Sequence, residues 1–112
     1  MKLNLKQLDL LYSGHVELLE HSLAPRLIYK LVTNRKVMQT HIENMQETIA
    51  KVEKDNEGKD QHEIVSLQNE AIQSLFRDEV EVDLKMIEWS ELPQEIKGTT
   101  INNIAPVMTG EL

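Results

Sequence analysis

The residues with the most chemistry to offer in this 112-residue chain start several known sites and complete none. His62-Glu63-Ile64-Val65-Ser66 begins like the zinc-protease helix, in which two histidines four residues apart hold the metal and the glutamate serves as base. Ser66 stands where the second histidine belongs, so the metal face is incomplete. Upstream, Glu53, Asp55 and Glu57 with Gly58 occupy the opening positions of a calcium loop, whose twelfth position requires a bidentate carboxylate. That position is Ile64, and the calcium reading fails. His15, His21, His41 and His62 are spread over three predicted helices. His15 falls on an apolar face, where a hydrogen-bonded core histidine is the expected role. Gly14, Gly58, Gly98 and Gly110 are isolated, so no phosphate loop is spelled, and serine-nucleophile motifs are absent. With no cysteine, disulfides and thiolate zinc sites are excluded. Carboxylates are plentiful, but nothing places two of them in a pocket that would separate their pKa values. The expectation is a protein that is not an enzyme, with no catalytic, cofactor-binding or metal-ligating residues.

What remains is binding. In Glu79-Val80-Glu81-Val82-Asp83-Leu84 acids and apolar residues alternate, which puts Glu79, Glu81 and Asp83 on one face of a strand, roughly 7 Å apart. That is close to the phosphate spacing of one DNA strand, so the row could mimic DNA before a nuclease. The plainer and favoured reading is the solvated face of a small sheet whose charges guard an edge. The charge is lopsided: residues 1–54 carry +2 and residues 55–112 carry −9, against −7 for the whole chain. An acidic C-terminal half argues against nucleic acid there and suits a basic protein surface. Arg26, Lys30 and Lys36 form a modest basic patch without interleaved aromatics, too little to predict a nucleic-acid partner.

The second candidate surface is a helical seam. Ala24, Ile28, Leu31, Arg35, Met38, Ile42, Met45, Ile49 and Val52 recur at alternating steps of four and three, the stripe that coiled coils and helical hairpins pack. Such a helix is about 45 Å long and has to lie against something. Arg35 is its one polar member, and a buried cation there needs an acidic partner. Methionine adapts to irregular partners. Arg35, Met38 and Met45 are therefore candidate partner-binding residues wherever the seam is left open, and self-association through it is one expected use.

Around these surfaces the chain spells a single α+β domain, mainly α. A short extended start leads into a helix over about 6–22, with Gly14 costing it about 1 kcal/mol relative to alanine. The long helix spans about 24–54, with Pro25 in its first turn and Ser22 as a nearby cap. After a turn at Gly58, a third helix over about 61–76 folds back as an antiparallel hairpin. The alternating region at about 79–89 predicts a small antiparallel sheet, with Leu3 and Leu5 as partners. A short C-terminal helix over about 100–108 follows, capped by Thr99 or Thr100 and limited by Pro106. No apolar run reaches the roughly 18 residues of a membrane span, and the N-terminus lacks a signal peptide's apolar core.

Three stretches carry a family resemblance: MKLNLKQLDLLYS at the start, HSLAPRLIYKLVTNRKVM, and EVEVDLKMIEWSELP followed by IAPVM. Together they resemble a family of small uncharacterised proteins encoded by phages and prophages, chiefly of Gram-positive bacteria. Leu23, Pro25, Tyr29, Leu31 and Asn34 fall on that family's long-helix motif, although Ala24 separates Leu23 from Pro25. Glu79 to Asp83, Ile87, Ser90 and Leu92 fall on its late motif. The resemblance implies a phage or prophage origin and a host-cytoplasmic or virion-associated location, and it supplies no activity to carry over. The expected function is protein–protein binding in virion structure or assembly, with a phage structural protein or a host protein as partner. The alternative is an acidic inhibitor of a host nuclease or defence protein.

Overall fold

In the computed structural model, which describes residues 1–110, the chain is mainly α with a small β component. Strand β1 (Lys2–Asn4) runs directly into helix α1 (Leu5–Leu18). Asn4 makes the junction: its Oδ1 accepts from the Gln7 N–H at 2.7 Å, and Gln7 Oε1 accepts from the Asn4 N–H at 3.0 Å. This reciprocal box satisfies donors that a helix start otherwise leaves free. Helix α1 stops at Leu18, four residues short of the expected Ser22. Glu20 and His21 instead donate to the carbonyls three residues back, at Glu17 and Leu18, the tightening that ends helices. Ala24 is extended before Pro25, as the residue before a proline prefers. Ser22 does not cap the next helix: its N-cap is Ala24, without a side-chain bond, and the proline has no N–H to satisfy.

Helix α2 spans Pro25–Asp55, 31 residues. Its buried line runs Leu27, Leu31, Asn34, Met38, Ile42 and Met45, so at the N-terminal end Leu27 and Asn34 replace the expected Ile28 and Arg35. Ile28 is exposed and Arg35 lies half-buried beside the line. Gly58, with φ of +91°, turns the chain into α3 (Gln61–Leu75), whose start is capped by Asp60. Helices α2 and α3 pack as the predicted hairpin, and α1 packs along α2, with His15 bonded to Asn34 and Asp9 beside Ile42 and Met45.

Strand β2 (Glu79–Glu81) pairs antiparallel with β1, with Leu3 opposite Val80. The ladder is shorter than the sequence alternation, because β1 offers only three residues before Leu5 begins a helix. The in–out alternation nevertheless continues: Val82 is buried and Leu84 half-buried, while Asp83 and Lys85 face out. A second, parallel pair joins β3 (Ile87–Glu88) to β4 (Met108–Thr109). Between them lie a 3₁₀ turn at Trp89–Glu91 and helix α4 (Gly98–Ile104). Lys97 is the N-cap of α4, without a side-chain bond; the Thr100 hydroxyl instead donates to the Glu17 carboxylate on α1. Beyond Ile104, Pro106 sits in a 3₁₀ turn, Ala105–Val107. Leu8, Leu11, Leu18, Leu31, Met38, Ile87, Ile104 and Val107 form the fully buried centre, each side chain contributing about 1.5–3 kcal/mol. Among the described residues no helix is long and apolar enough to cross a membrane.

Candidate functional site

His15 lies fully buried in the base of the molecule, the end at which α1 and the β2–β3 loop pack on α2. Its Nδ1–H donates to the Leu11 carbonyl at 2.8 Å, which leaves Nε2 as the acceptor of an Asn34 amide proton at 3.2 Å. The second proton of that amide goes to the Lys85 carbonyl at 2.9 Å, and Asn34 Oδ1 accepts the Lys85 N–H at 2.7 Å. The Asn34 side chain thus stands in for a neighbouring strand and clamps the loop between β2 and β3 onto α2. Every polar atom in this cluster has a partner, as buried polar groups require. Burial lowers the His15 pKa, partly opposed by its bond to Leu11. The histidine is the hydrogen-bonded core residue expected from its position.

Apart from Arg35, which lies half-buried beside the inner line of α2, the predicted binding residues separate into two groups. Met38 is fully buried in the core and Met45 is largely buried further along α2, so both are packed within the molecule. Glu79, Glu81 and Asp83 are all exposed, on the outer side of the alternating segment. Glu81 takes the N-terminal ammonium at 2.7 Å. Among the described residues no group of three histidine, aspartate or glutamate side chains is placed to hold a metal ion.

A surface that the sequence does not assemble appears on the N-terminal half of α2. Tyr29 is 64% exposed, and Ile28, Val37 and Met86 are also open to solvent. Tyr29, Thr33 and Val37 recur every four residues and share one side of the helix. The Asn34 clamp brings the loop alongside, and the Lys85 ammonium lies 5.6 Å from the centre of the Tyr29 ring, within cation–π range. From His21 to Ile42 the chain contains Arg26, Lys30, Arg35 and Lys36 and no acid. Lys30 is held by Glu91 in the 3₁₀ turn. Burial pushes the Glu91 carboxyl up, but the bonds from Lys30 and the Glu88 N–H, with the charges of Lys30 and Arg26, leave its pKa lowered. Arg26, Lys36 and Lys85 remain as a cationic surround for an apolar, aromatic patch. Tyr29 gave no signal of this role in the sequence, because its cation comes from a residue 56 positions away.

No protein-family model, curated protein or solved structure matches the chain, whose function is therefore read from its own residues.

Proposed function

We propose that this chain is a non-enzymatic protein-binding factor of a phage or prophage, acting in the host cytoplasm in virion structure or assembly. The phage origin rests on the family resemblance. The binding reading is carried by the side of α2 where exposed Tyr29 and Val37 lie among Arg26 and Lys36, with Lys85 over the Tyr29 ring. An exposed aromatic among apolar neighbours, with cations close by, is the composition that binding hot spots favour. Its partner presents an apolar surface with acidic flanks. The test is affinity capture of the tagged protein from induced lysogens, alongside the variant Tyr29→Ala/Val37→Ser. Capsid or tail proteins captured by the parent and lost with the variant, at unchanged helicity, are the expected result. Equal capture by both proteins removes this surface from the reading.

A second reading is favoured by the open acidic face, where the Glu79 and Asp83 side chains are exposed and, among the described residues, neither is ion-paired. On this reading the chain inhibits a basic host nuclease or defence protein. Joint change of Glu79, Glu81 and Asp83 to serine then abolishes capture of a single host protein while helicity persists. Unchanged capture removes the inhibitor reading.

A further inference from the structure

Where α1 crosses the hairpin, the core opens to the surface in a hollow of about 200 Å³. Its walls are Ile42, Met45 and Ile49 of α2, with Ile72, Leu75 and Phe76 from α3 and its C-terminal cap. These are aliphatic and aromatic surfaces, and cavities so lined accept apolar ligands; about 150 Å³ suffices for benzene. Two polar side chains reach the hollow, neutral Gln46 and the carboxylate of Asp9. Asp9 is half-buried, and among the described residues it has neither a hydrogen-bond donor nor an ion-pair partner. Burial alone raises its pKa. An acid brought against apolar walls without a cation has a solvation cost that an incoming cation removes.

We propose that this hollow binds a small primary amine with an apolar body, the body lying against the Ile, Met and Phe walls and the ammonium held by Asp9 at the mouth. The placement of the charge selects the ligand. A lysine or arginine side chain of another protein enters tip first and would press its cation against Ile42, Met45 and Ile72. A phenylalkylamine or short alkylamine enters apolar end first and leaves its ammonium beside the half-exposed carboxylate. Anionic and neutral molecules of the same shape gain the wall contacts and lack the ion pair. The site lies in the groove between α1 and the hairpin, and it does not depend on the protein-binding reading.

The measurement is a titration of the methyl-labelled full chain, with 2-phenylethylamine, 2-phenylethanol and phenylacetate as probes. The Met45 methyl and the Ile42, Ile49 and Ile72 δ-methyl resonances report on the walls. Saturable shifts of these signals with the amine, at an affinity about tenfold above that of the alcohol, are expected from one charge-assisted bond, with phenylacetate weakest. Asp9→Asn should bind amine and alcohol alike. Ile49→Phe, which fills the hollow while leaving Asp9 in place, should bind neither. Equal affinities for amine and alcohol in the parent, an unchanged preference in Asp9→Asn, or no shift of the wall methyls with any probe overturns the proposal. Capture of protein partners is read separately and is unaffected by these outcomes.

Discussion

His15 accepts a proton from Asn34 only while its ring is neutral. A second ring proton would point Nε2–H at the Asn34 NH₂ group, donor against donor. Rotating the amide to offer Oδ1 repairs that contact but sets NH₂ against the Lys85 N–H and oxygen against the Lys85 carbonyl. Protonation therefore breaks one side of the clamp whichever way Asn34 turns. Helix α1 carries Lys6, Asp9 and Glu17, the turns of α2 flanking Asn34 carry Lys30, Arg35 and Lys36, and the loop and its flanks carry Asp83, Lys85 and Glu88; α4 has no ionisable side chain. None of these sets the His15 shift, which comes from burial opposed by the Leu11 bond. The direction of the pH dependence follows. In the unfolded chain histidine takes its proton near pH 6.5, and the folded state resists it to a lower pH. Stability is thus full above about pH 6.5 and falls below it, by at most about 1.4 kcal/mol per pH unit, until the folded ring also protonates. Urea unfolding between pH 7.5 and 5 should show this loss, and His15→Gln, less stable throughout, should show a flatter profile. Parallel profiles would mean that another group carries the dependence.

At the scale of elements, α1 and α4 meet at Gly14. A methyl group built there would lie 2.6 Å from Ile104 Cγ2 and 3.3 Å from Asn103 Cβ. The glycine that weakens α1 as an isolated helix lets α4 seat against it. Gly14→Ala should raise helix propensity by about 1 kcal/mol and still destabilise the fold by about 1–3 kcal/mol, because Ile104 is fully buried and cannot step aside. Ile104→Leu removes the offending Cγ2 methyl by moving the branch from Cβ to Cγ, so the double variant should recover part of the loss. A non-additive cycle in thermal or urea melts is the check; simple additivity would place the strain elsewhere. The same elements explain what could be read in advance. The long helix, the hairpin and the early strand are spelled by apolar spacing and by turn residues. The inner line of α2 was misplaced at one end for a geometric reason. A strict repeat of 3.5 counted back from Met45 reaches Arg35 and Ile28, whereas Leu27 to Met45 is 18 residues in five turns, the 3.6 of a straight helix. Strand β4 has two residues and no period to detect. The acidic face was legible because alternation is local. The Tyr29–Lys85 pair and the Thr100–Glu17 bond join residues distant in sequence, and no local pattern announces them.

At the scale of the whole molecule, the chain is elongated, 52 × 26 × 21 Å, with a radius of gyration of 16.5 Å. A compact chain of this length would have about 13 Å. The excess comes from the hairpin. Near its N-terminal end α2 is covered by α1, and the Asn34 clamp holds the β2–β3 loop against it. Past Met45 its inner residues Ile49 and Val52 are only half-buried, and Ile64 is the one buried side chain of α3. Helix propensity alone leaves such an arm marginal, since isolated helices depend on packing for their stability. The arm should therefore open without the base. Native-state hydrogen exchange should find the amides of residues 49–70 protected by at least about 2 kcal/mol less than those around Leu8, Leu11, Leu31 and Met38, which exchange only on global unfolding. Protection should rise along α2 from its tip towards Met38, with the step falling near Met45, where α1 begins to cover the hairpin. Uniform protection along α2 would mean that the hairpin and base unfold together, and that the few apolar contacts of α3 hold the arm as firmly as the buried centre holds the base.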